Sequence, residues 1–366
     1  MSVFDVKKNP AICVLPWVHE FKSIDNGQAP CCQTHRNFNS DENIEQVRDS
    51  MLKGIRPDIC KSCYKSEDTT GWSFRTHETN DWLKKFGEPD VNNPKIEHID
   101  VRFNATCNLK CKMCGPDAST LWQKEKKLEI KSYNDNKSYF DNVDKKNLKK
   151  VYLAGGEPTF IKEYLQFLQQ LNDVNPDCEI IINTNLKKLP QSWKDLIHKI
   201  KRLTVICSCD AIESLGSYVR YPIGWNEFEE NVKFVSDNAN FLQFNLVASN
   251  LTSHKIYQTC KWMSKYSNNI NLTPLTEPHV FTENAIPIEH RSKYINNLKR
   301  LLKFPVSIHY AGRFKSQVMA LIDKYSYAEY DALNHKKLRE EITEQDSHRR
   351  LQLRDVDPFL HQWIYG

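Results

Sequence analysis

Long apolar runs are missing from this sequence. No stretch of its 366 residues approaches the roughly 18 consecutive apolar positions that a membrane-crossing helix needs. The first ten residues lack the charged-then-apolar order of a secretion signal, so the expectation is a cytoplasmic chain. A strong charge excess is missing as well. Lysine and arginine total 51 against 46 aspartates and glutamates, and residues 123–150 alone hold nine lysines against five acids. A nucleic-acid binder shows a denser basic face, whereas a solvated helix and loop rich in lysine fits this distribution. Glycine is scarce, with 11 residues where the usual share is about 7%. Each glycine therefore marks a backbone need more sharply than usual. Internal repeats and low-complexity segments are absent.

Aromatic residues are plentiful. Seventeen Phe, 15 Tyr and 8 Trp are enough to build a core, which excludes a wholly disordered chain. Cysteine stands out, with 12 residues. Without a secretion signal they are not expected to form a disulfide scaffold, because the cytosol keeps thiols reduced. Clustered cysteines then point to metal or catalysis. Cys13, Cys31, Cys32, Cys60 and Cys63 lie in the first fifth of the chain. Cys107, Cys111 and Cys114 are tightly grouped, and Cys178, Cys207, Cys209 and Cys260 are scattered.

Residues 1–95 hold few strand-like runs and many turn formers. A helix is predicted over 42–53, opened by Ser40 and Asp41 and closed by Gly54. Beyond residue 96, short apolar runs alternate with helical patterns. Strands are predicted at 98–103, 150–154, 179–183, 203–209, 242–248 and 270–274. Helices are predicted at 117–130, 161–173, 191–201, 226–237, 253–266 and 288–303. Six strand–helix units imply a parallel sheet with right-handed crossovers, curled into a full or partial barrel. Chemistry in such folds gathers at the carboxyl ends of the strands. Residues 305–366 read as mainly helical.

The stretch Cys107-Asn108-Leu109-Lys110-Cys111-Lys112-Met113-Cys114 directly follows the first of these strands. Three thiolates within eight residues can wrap one face of an iron–sulfur cubane. Chance gives partners at +4 and +7 for a given cysteine with odds of roughly one in a thousand. Structural zinc is the rival, but it takes four closed ligands, and no fourth stands beside these three.

Here the sequence resembles the radical S-adenosylmethionine (SAM) superfamily, whose signature is C-x3-C-x2-C. The resemblance implies that Cys107, Cys111 and Cys114 ligate a [4Fe-4S] cluster, whose fourth iron is chelated by SAM. It implies reductive cleavage of SAM to a 5′-deoxyadenosyl radical, with an electron from a donor such as flavodoxin or ferredoxin. Met113 departs from the pattern, where an aromatic residue is common. Gly155-Gly156-Glu157-Pro158, after the second strand, is similar to the family's GGEP element at the SAM ammonium. Thr184 and Asn185 end the third strand, where the family often binds the ribose. Ser208 and Asp210 end the fourth and are similar to its S-x-D element. Strand alternation puts Cys207 and Cys209 on the opposite, buried face. Arg220 falls where relatives place an arginine for the SAM carboxylate. Asn250, after the fifth strand, matches an adenosine contact.

The N-terminal cysteines form a second pattern. Cys13-x13-Gly27-x4-Cys32, followed by Cys60-x2-Cys63, supplies four thiolates. A zinc site with four cysteines is the plain assignment. The pattern is also similar to the auxiliary [4Fe-4S] modules called twitch and SPASM, and one set of four matches twitch. Such a module usually follows the barrel, and here it precedes it. Cys31 or Cys32 would be the second ligand, Cys32 being favoured. Glu67, Gly71, Ser73, Arg75 and Asn80 match phage-type twitch proteins, and Trp17 and Trp72 would pack over the cluster.

The resulting expectation is an α/β protein in three parts. An auxiliary module (1–95) precedes a partial (β/α)6 barrel (96–304) and a helical extension (305–366). Its cofactors would be two [4Fe-4S] clusters and SAM. Peptide modification is the favoured reaction class. A sugar or nucleotide substrate is the alternative, and a zinc-binding interaction protein is the rival outside enzymology.

Overall fold

The computed structural model describes residues 2–23, 28–34, 43–103, 105–129 and 136–366. Gly27, Ser40 and Asp41 of the sequence reading lie outside them. One eight-stranded sheet organises the chain, in the order β2-β1-β3-β4-β5-β6-β7-β8. Its strands are β1 His19–Lys22, β2 Gln28–Ala29, β3 His98–Val101, β4 Lys150–Leu153, β5 Glu179–Thr184, β6 Leu203–Ser208, β7 Phe241–Ala248 and β8 Ile270–Pro274. Only β1–β2 is antiparallel. The other seven strands run parallel, in chain order from β1 onward, with β2 and β8 left as edges. Consecutive order with helical crossovers is the winding of an open barrel rather than of a doubly wound sheet.

The sequence accounts for these strands. β5 reads EIIINT, a β-branched run. On β7 the alternation is complete. Leu242, Phe244, Leu246 and Ala248 are buried, while Gln243, Asn245 and Val247 are partly exposed. The buried set meets the surrounding helices, and the other set, with Gln243 and Asn245, faces the lumen. Helix Lys162–Val174 buries Tyr164, Phe167, Leu168 and Leu171, a three-four spacing that covers one stripe.

The N-terminal segment departs from expectation by donating β1 to the barrel sheet. His19 pairs with His98 and Phe21 with Asp100. The Glu97 N–H to the Val18 carbonyl (2.9 Å) and the Arg102 N–H to the Lys22 carbonyl (2.9 Å) extend the pairing. The segment still has a core of its own, around Phe4, Ile12, Trp17, Met51 and Trp82, separate from the barrel core. The helix expected at 42–53 is Ile44–Leu52, capped by the Asn43 side chain. Among the described residues, no helix is long and apolar enough to cross a membrane.

Two buried ion-pair networks dock the C-terminal helices. Asp357 caps helix Pro358–Tyr365 by accepting from the Leu360 N–H (3.1 Å). It also meets His254 Nε2 (2.9 Å) and Lys255 Nζ (2.6 Å). Helix Ala332–Arg349 reaches the cysteine loop that follows β3. Lys112, its side chain fully buried, places Nζ 2.6 Å from Asp346 Oδ1 and 4.0 Å from the centre of the Tyr218 ring. The Tyr218 hydroxyl donates to the other Asp346 oxygen (3.0 Å). Arg349 and Lys110 both pair with Glu125.

Both docks predict measurable losses. Removing one partner of a buried pair strands the other charge, at a cost of about 3–5 kcal/mol. Asp346→Ala should therefore lower the urea midpoint strongly, and an unchanged midpoint would refute the dock. For Asp357, its three partners hold the carboxyl well below the ordinary value of 3.8 despite burial, which opposes them. A depressed carboxylate contributes stability above its unfolded pKa and loses it as pH falls below about 4. Asp357→Asn should flatten that acid limb in denaturant titrations between pH 5 and 2, and a limb as steep as the unmodified protein's would contradict the assignment.

Candidate functional site

The carboxyl ends of β3–β6 bring four loops together. The cysteine loop is tied at many points along its backbone. The Ser119 hydroxyl donates to the Leu109 carbonyl (2.6 Å), and Trp122 Nε1 donates to the Cys111 carbonyl (2.9 Å). The Lys110 N–H reaches the Tyr221 carbonyl (2.7 Å) and the Lys112 N–H the Val219 carbonyl (2.8 Å), on either side of Cys111. Helix Glu213–Val219 ends at Arg220, so these two bonds set Arg220 beside the cysteines. All three thiols are free and half-buried. Burial pushes Cys107 up to about 11, Cys111 up to about 12 and Cys114 upward, while the Arg220 cation pulls all three the other way.

The loop after β4 fits against this one. Gly155 (φ +80°) and Gly156 (φ +49°) both adopt left-handed backbone. A Cβ at Gly155 would lie 3.0 Å from the Arg102 Cα, so the scarce glycine here is a steric requirement. The Glu157 N–H then bonds the Thr106 carbonyl (2.8 Å). Glu157 itself is buried, and its carboxylate is taken up by protein donors. Oε1 accepts from the Thr159 N–H (3.0 Å), the Thr159 hydroxyl (2.6 Å) and the Thr184 hydroxyl (2.5 Å). Oε2 accepts from the Asn185 N–H (2.7 Å). Glu157 and Thr184, read from sequence as ligand contacts, thus join the β4 and β5 loops to one another. Pro158 opens the short helical turn that follows. Asn185 Nδ2 donates to Asn108 Oδ1 (2.9 Å) and lies 3.8 Å from Cys107 Sγ.

At the end of β6, Asp210 is buried and pairs with Arg220 Nη1 (2.7 Å). Its other oxygen accepts the Val247 N–H of β7 (3.0 Å). Ser208 donates to Asn183 Oδ1 (3.2 Å). Cys207 and Cys209 are buried in the barrel core, as alternation predicts. Asn250 follows β7, and its Oδ1 is buried without a partner. It is fully buried, and its amide donates to the Val280 and Thr282 carbonyls (3.0 Å each).

Two features test whether the residues suit the cofactors their pattern implies. Arg220 Nε is buried without a partner, leaving a guanidinium edge open to a carboxylate. Cys107 Sγ already accepts the Leu109 N–H (3.4 Å), the kind of hydrogen bond that cluster sulfurs take. The residues fit both a cluster and a carboxylate-bearing ligand. Among the described residues, no three His, Cys, Asp or Glu side chains converge on a point suited to a single metal ion.

In the N-terminal segment, Cys13, Cys31, Cys60 and Cys63 line one small pocket with Phe74 and Arg75. Of the two candidates for the second ligand, Cys31 lines this pocket and Cys32, the one favoured from sequence, does not. Cys32 lies instead within the electrostatic reach of Asp100 and Arg102. Neighbouring residues in a turn point to different sides, and spacing alone does not choose between them. Glu67 braces this pocket by accepting from Arg75 Nε (2.9 Å) and from the Ser73 hydroxyl. Trp17 packs on Phe4 in the segment's own core, and Trp72 lies 3.9 Å beneath the Arg313 guanidinium. Sequence reading missed Lys112 and its partners Asp346 and Gln345. A lysine between two ligand-spaced cysteines was the available signal, but its partner stands 234 positions away.

Comparison with known proteins agrees with this geometry. Residues 101–238 match the family model of the Radical SAM superfamily. The GTP 3′,8-cyclase of Nautilia profundicola is 29% identical over 104 residues, 28% of this chain and 32% of that protein. The GTP 3′,8-cyclase of Campylobacter jejuni subsp. doylei is 23% identical over 261 residues, 68% of this chain and 78% of that protein. The chain spans 32% and 45% of the length of the first two curated relatives it matches. Among solved structures, Streptococcus suis SuiB bound to S-adenosylmethionine is 15% identical with a TM-score of 0.41, over 90% of this chain and 73% of that one. Cysteine loop, glycine turn and matched family model coincide within one stretch of sequence: residues 101–238 of this chain match the model of the Radical SAM superfamily.

Proposed function

We propose that this chain cleaves SAM reductively and uses the resulting radical to abstract hydrogen from a polar substrate held in the barrel lumen. The observation that carries the reading is the pair of main-chain bonds flanking Cys111, which seats Arg220 against the three thiols. A [4Fe-4S] cluster on Cys107, Cys111 and Cys114, with SAM, would supply the electron transfer and the 5′-deoxyadenosyl radical. The protein's own part is placement. Arg220 Nε offers a donor edge for the SAM carboxylate, and Gly155 and Gly156 keep side chains out of the approach. Asp210 holds Arg220, and Glu157 fixes Thr184 and Asn185 around the cavity. A donor such as flavodoxin or ferredoxin would provide the electron.

The N-terminal pocket is read as an auxiliary [4Fe-4S] site on Cys13, Cys31, Cys60 and Cys63, with every iron closed by protein. Its role would be electron transfer in a net oxidation. For the substrate, the curated relatives named GTP 3′,8-cyclase support a small polar molecule such as a nucleotide. On that support the nucleotide class is taken first here and the peptide class, favoured from sequence, second.

Cys111→Ala should abolish 5′-deoxyadenosine formation under dithionite while leaving the N-terminal iron bound, and undiminished formation would sink the reading. Anaerobically reconstituted protein should hold about 8 Fe, two cubanes' worth. Cys31→Ala should halve that content and Cys32→Ala should leave it intact. The reverse ranking would restore Cys32 as the ligand, and stoichiometric zinc in place of iron would dismiss both clusters.

A further inference from the structure

Helix Ile308–Tyr327 stands beside β8 where a closed barrel would continue its sheet. It starts near the entry of β8, where the Ser307 N–H bonds the Asn268 carbonyl (2.9 Å). It ends where Arg291 Nη1 bonds the Ala328 carbonyl, so it runs in the direction of the strand. One stripe, Phe314, Val318, Leu321 and Tyr325, is buried in the barrel core. A second stripe, Tyr310, Arg313 and Gln317, follows the three-four spacing of one helix face. The Tyr310 hydroxyl donates to Gln243 Oε1 (2.8 Å), which places this face on the lumen side of β7.

The lumen surface it meets is polar and carries few charges. Gln243 and Asn271 both donate to Asn245 Oδ1 (3.0 Å each). Ser208 and Asn183 continue the polar surface. The lumen cation Arg102 is neutralised by both oxygens of Asp100 (3.0 and 2.9 Å). Arg313 is not neutralised. It stacks on Trp72, its Nε is buried with no partner, and no carboxylate among the described residues pairs with it. Asn271 Oδ1 and Gln317 Oε1 are likewise buried and unpartnered. Buried polar groups are normally satisfied, and here three unsatisfied atoms sit on β8 and the helix beside it.

The geometry points to a substrate-anchoring site in which Arg313 takes the phosphate or carboxylate group of a small polar molecule, and Asn271 and Gln317 accept hydrogen bonds from its body. The inference rests on the radical SAM reading for what happens to that molecule, though not for its binding. Trp72 stands two residues before Phe74, which lines the four-cysteine pocket.

The test uses reconstituted holoenzyme with SAM present, titrated calorimetrically with inorganic pyrophosphate and, separately, with citrate. The expected result is saturable binding of at least one anion. Pyrophosphate assigns the anchored group as a phosphate and citrate as a carboxylate. Arg313→Gln should raise the Kd about tenfold or more, the range of a lost charge-assisted hydrogen bond. Arg313→Lys, which keeps the charge, should give an intermediate Kd and guards against a folding defect in the first variant. Lys315→Gln, an exposed lysine on the same helix, should leave the Kd within about twofold. No saturable binding of either anion, or equal effects of the Arg313→Gln and Lys315→Gln substitutions, overturns the proposal. 5′-Deoxyadenosine formation in the same samples separates the two readings. Its absence beside intact anion binding would fault the chemistry, and its presence without anion binding would fault the anchor.

Discussion

The site depends on one buried ion pair. Asp210 ends β6 and holds Arg220 at 2.7 Å, and its second oxygen accepts the Val247 N–H of β7. A guanidinium buried near three thiols would be costly without that carboxylate. With it, the cation stands where the thiols need one. Burial opposes ionising each cysteine, and Arg220 works in the other direction. Metal ligation requires thiolates, which the Arg220 cation favours, and its Nε is buried without a partner. Asp210 thus contributes by holding Arg220 in place.

The same economy recurs around Glu157. It accepts three hydrogen bonds on Oε1 and one on Oε2, and burial raises its pKa while those bonds oppose the rise. The GGEP element supplies backbone shape through two left-handed glycines, and its Glu157 side chain locks the β4 and β5 loops. Preorganised loops bind without an ordering penalty at the moment of binding.

Much of the barrel was legible because its strands satisfy two constraints at once. β4 to β8 are apolar on the helix face, short and separated by helical periods, so their positions could be read to within a residue or two. β1 was not legible. His-Glu-Phe-Lys has no β-branched run, and the strand exists because β3 offers it an edge to pair with. The cysteine loop and the glycine turn could be read because their chemistry is local in sequence. Which of Cys31 and Cys32 lines the N-terminal pocket could not be read, since spacing is blind to which way a turn points its side chains. Lys112 and Arg313 were illegible for a different reason. The partners that define each of them, Asp346 and Trp72, lie more than two hundred positions away.

Those distant partners explain why the extension after residue 305 belongs to the site. A helix that only covered apolar surface would need no lysine buried between two ligand-spaced cysteines. Lys112 is fully buried, and Gln345 bonds it at both ends, accepting near Nζ and donating to its carbonyl (3.3 Å). The cysteine loop is therefore fixed from behind by Ala332–Arg349 and from the side by residues 219–221. Helix Ile308–Tyr327 faces the lumen with Tyr310 and Arg313. One extension thus positions the loop that would generate the radical and completes the wall against which a substrate would rest, so the N-terminal segment and the C-terminal helices close the open barrel together.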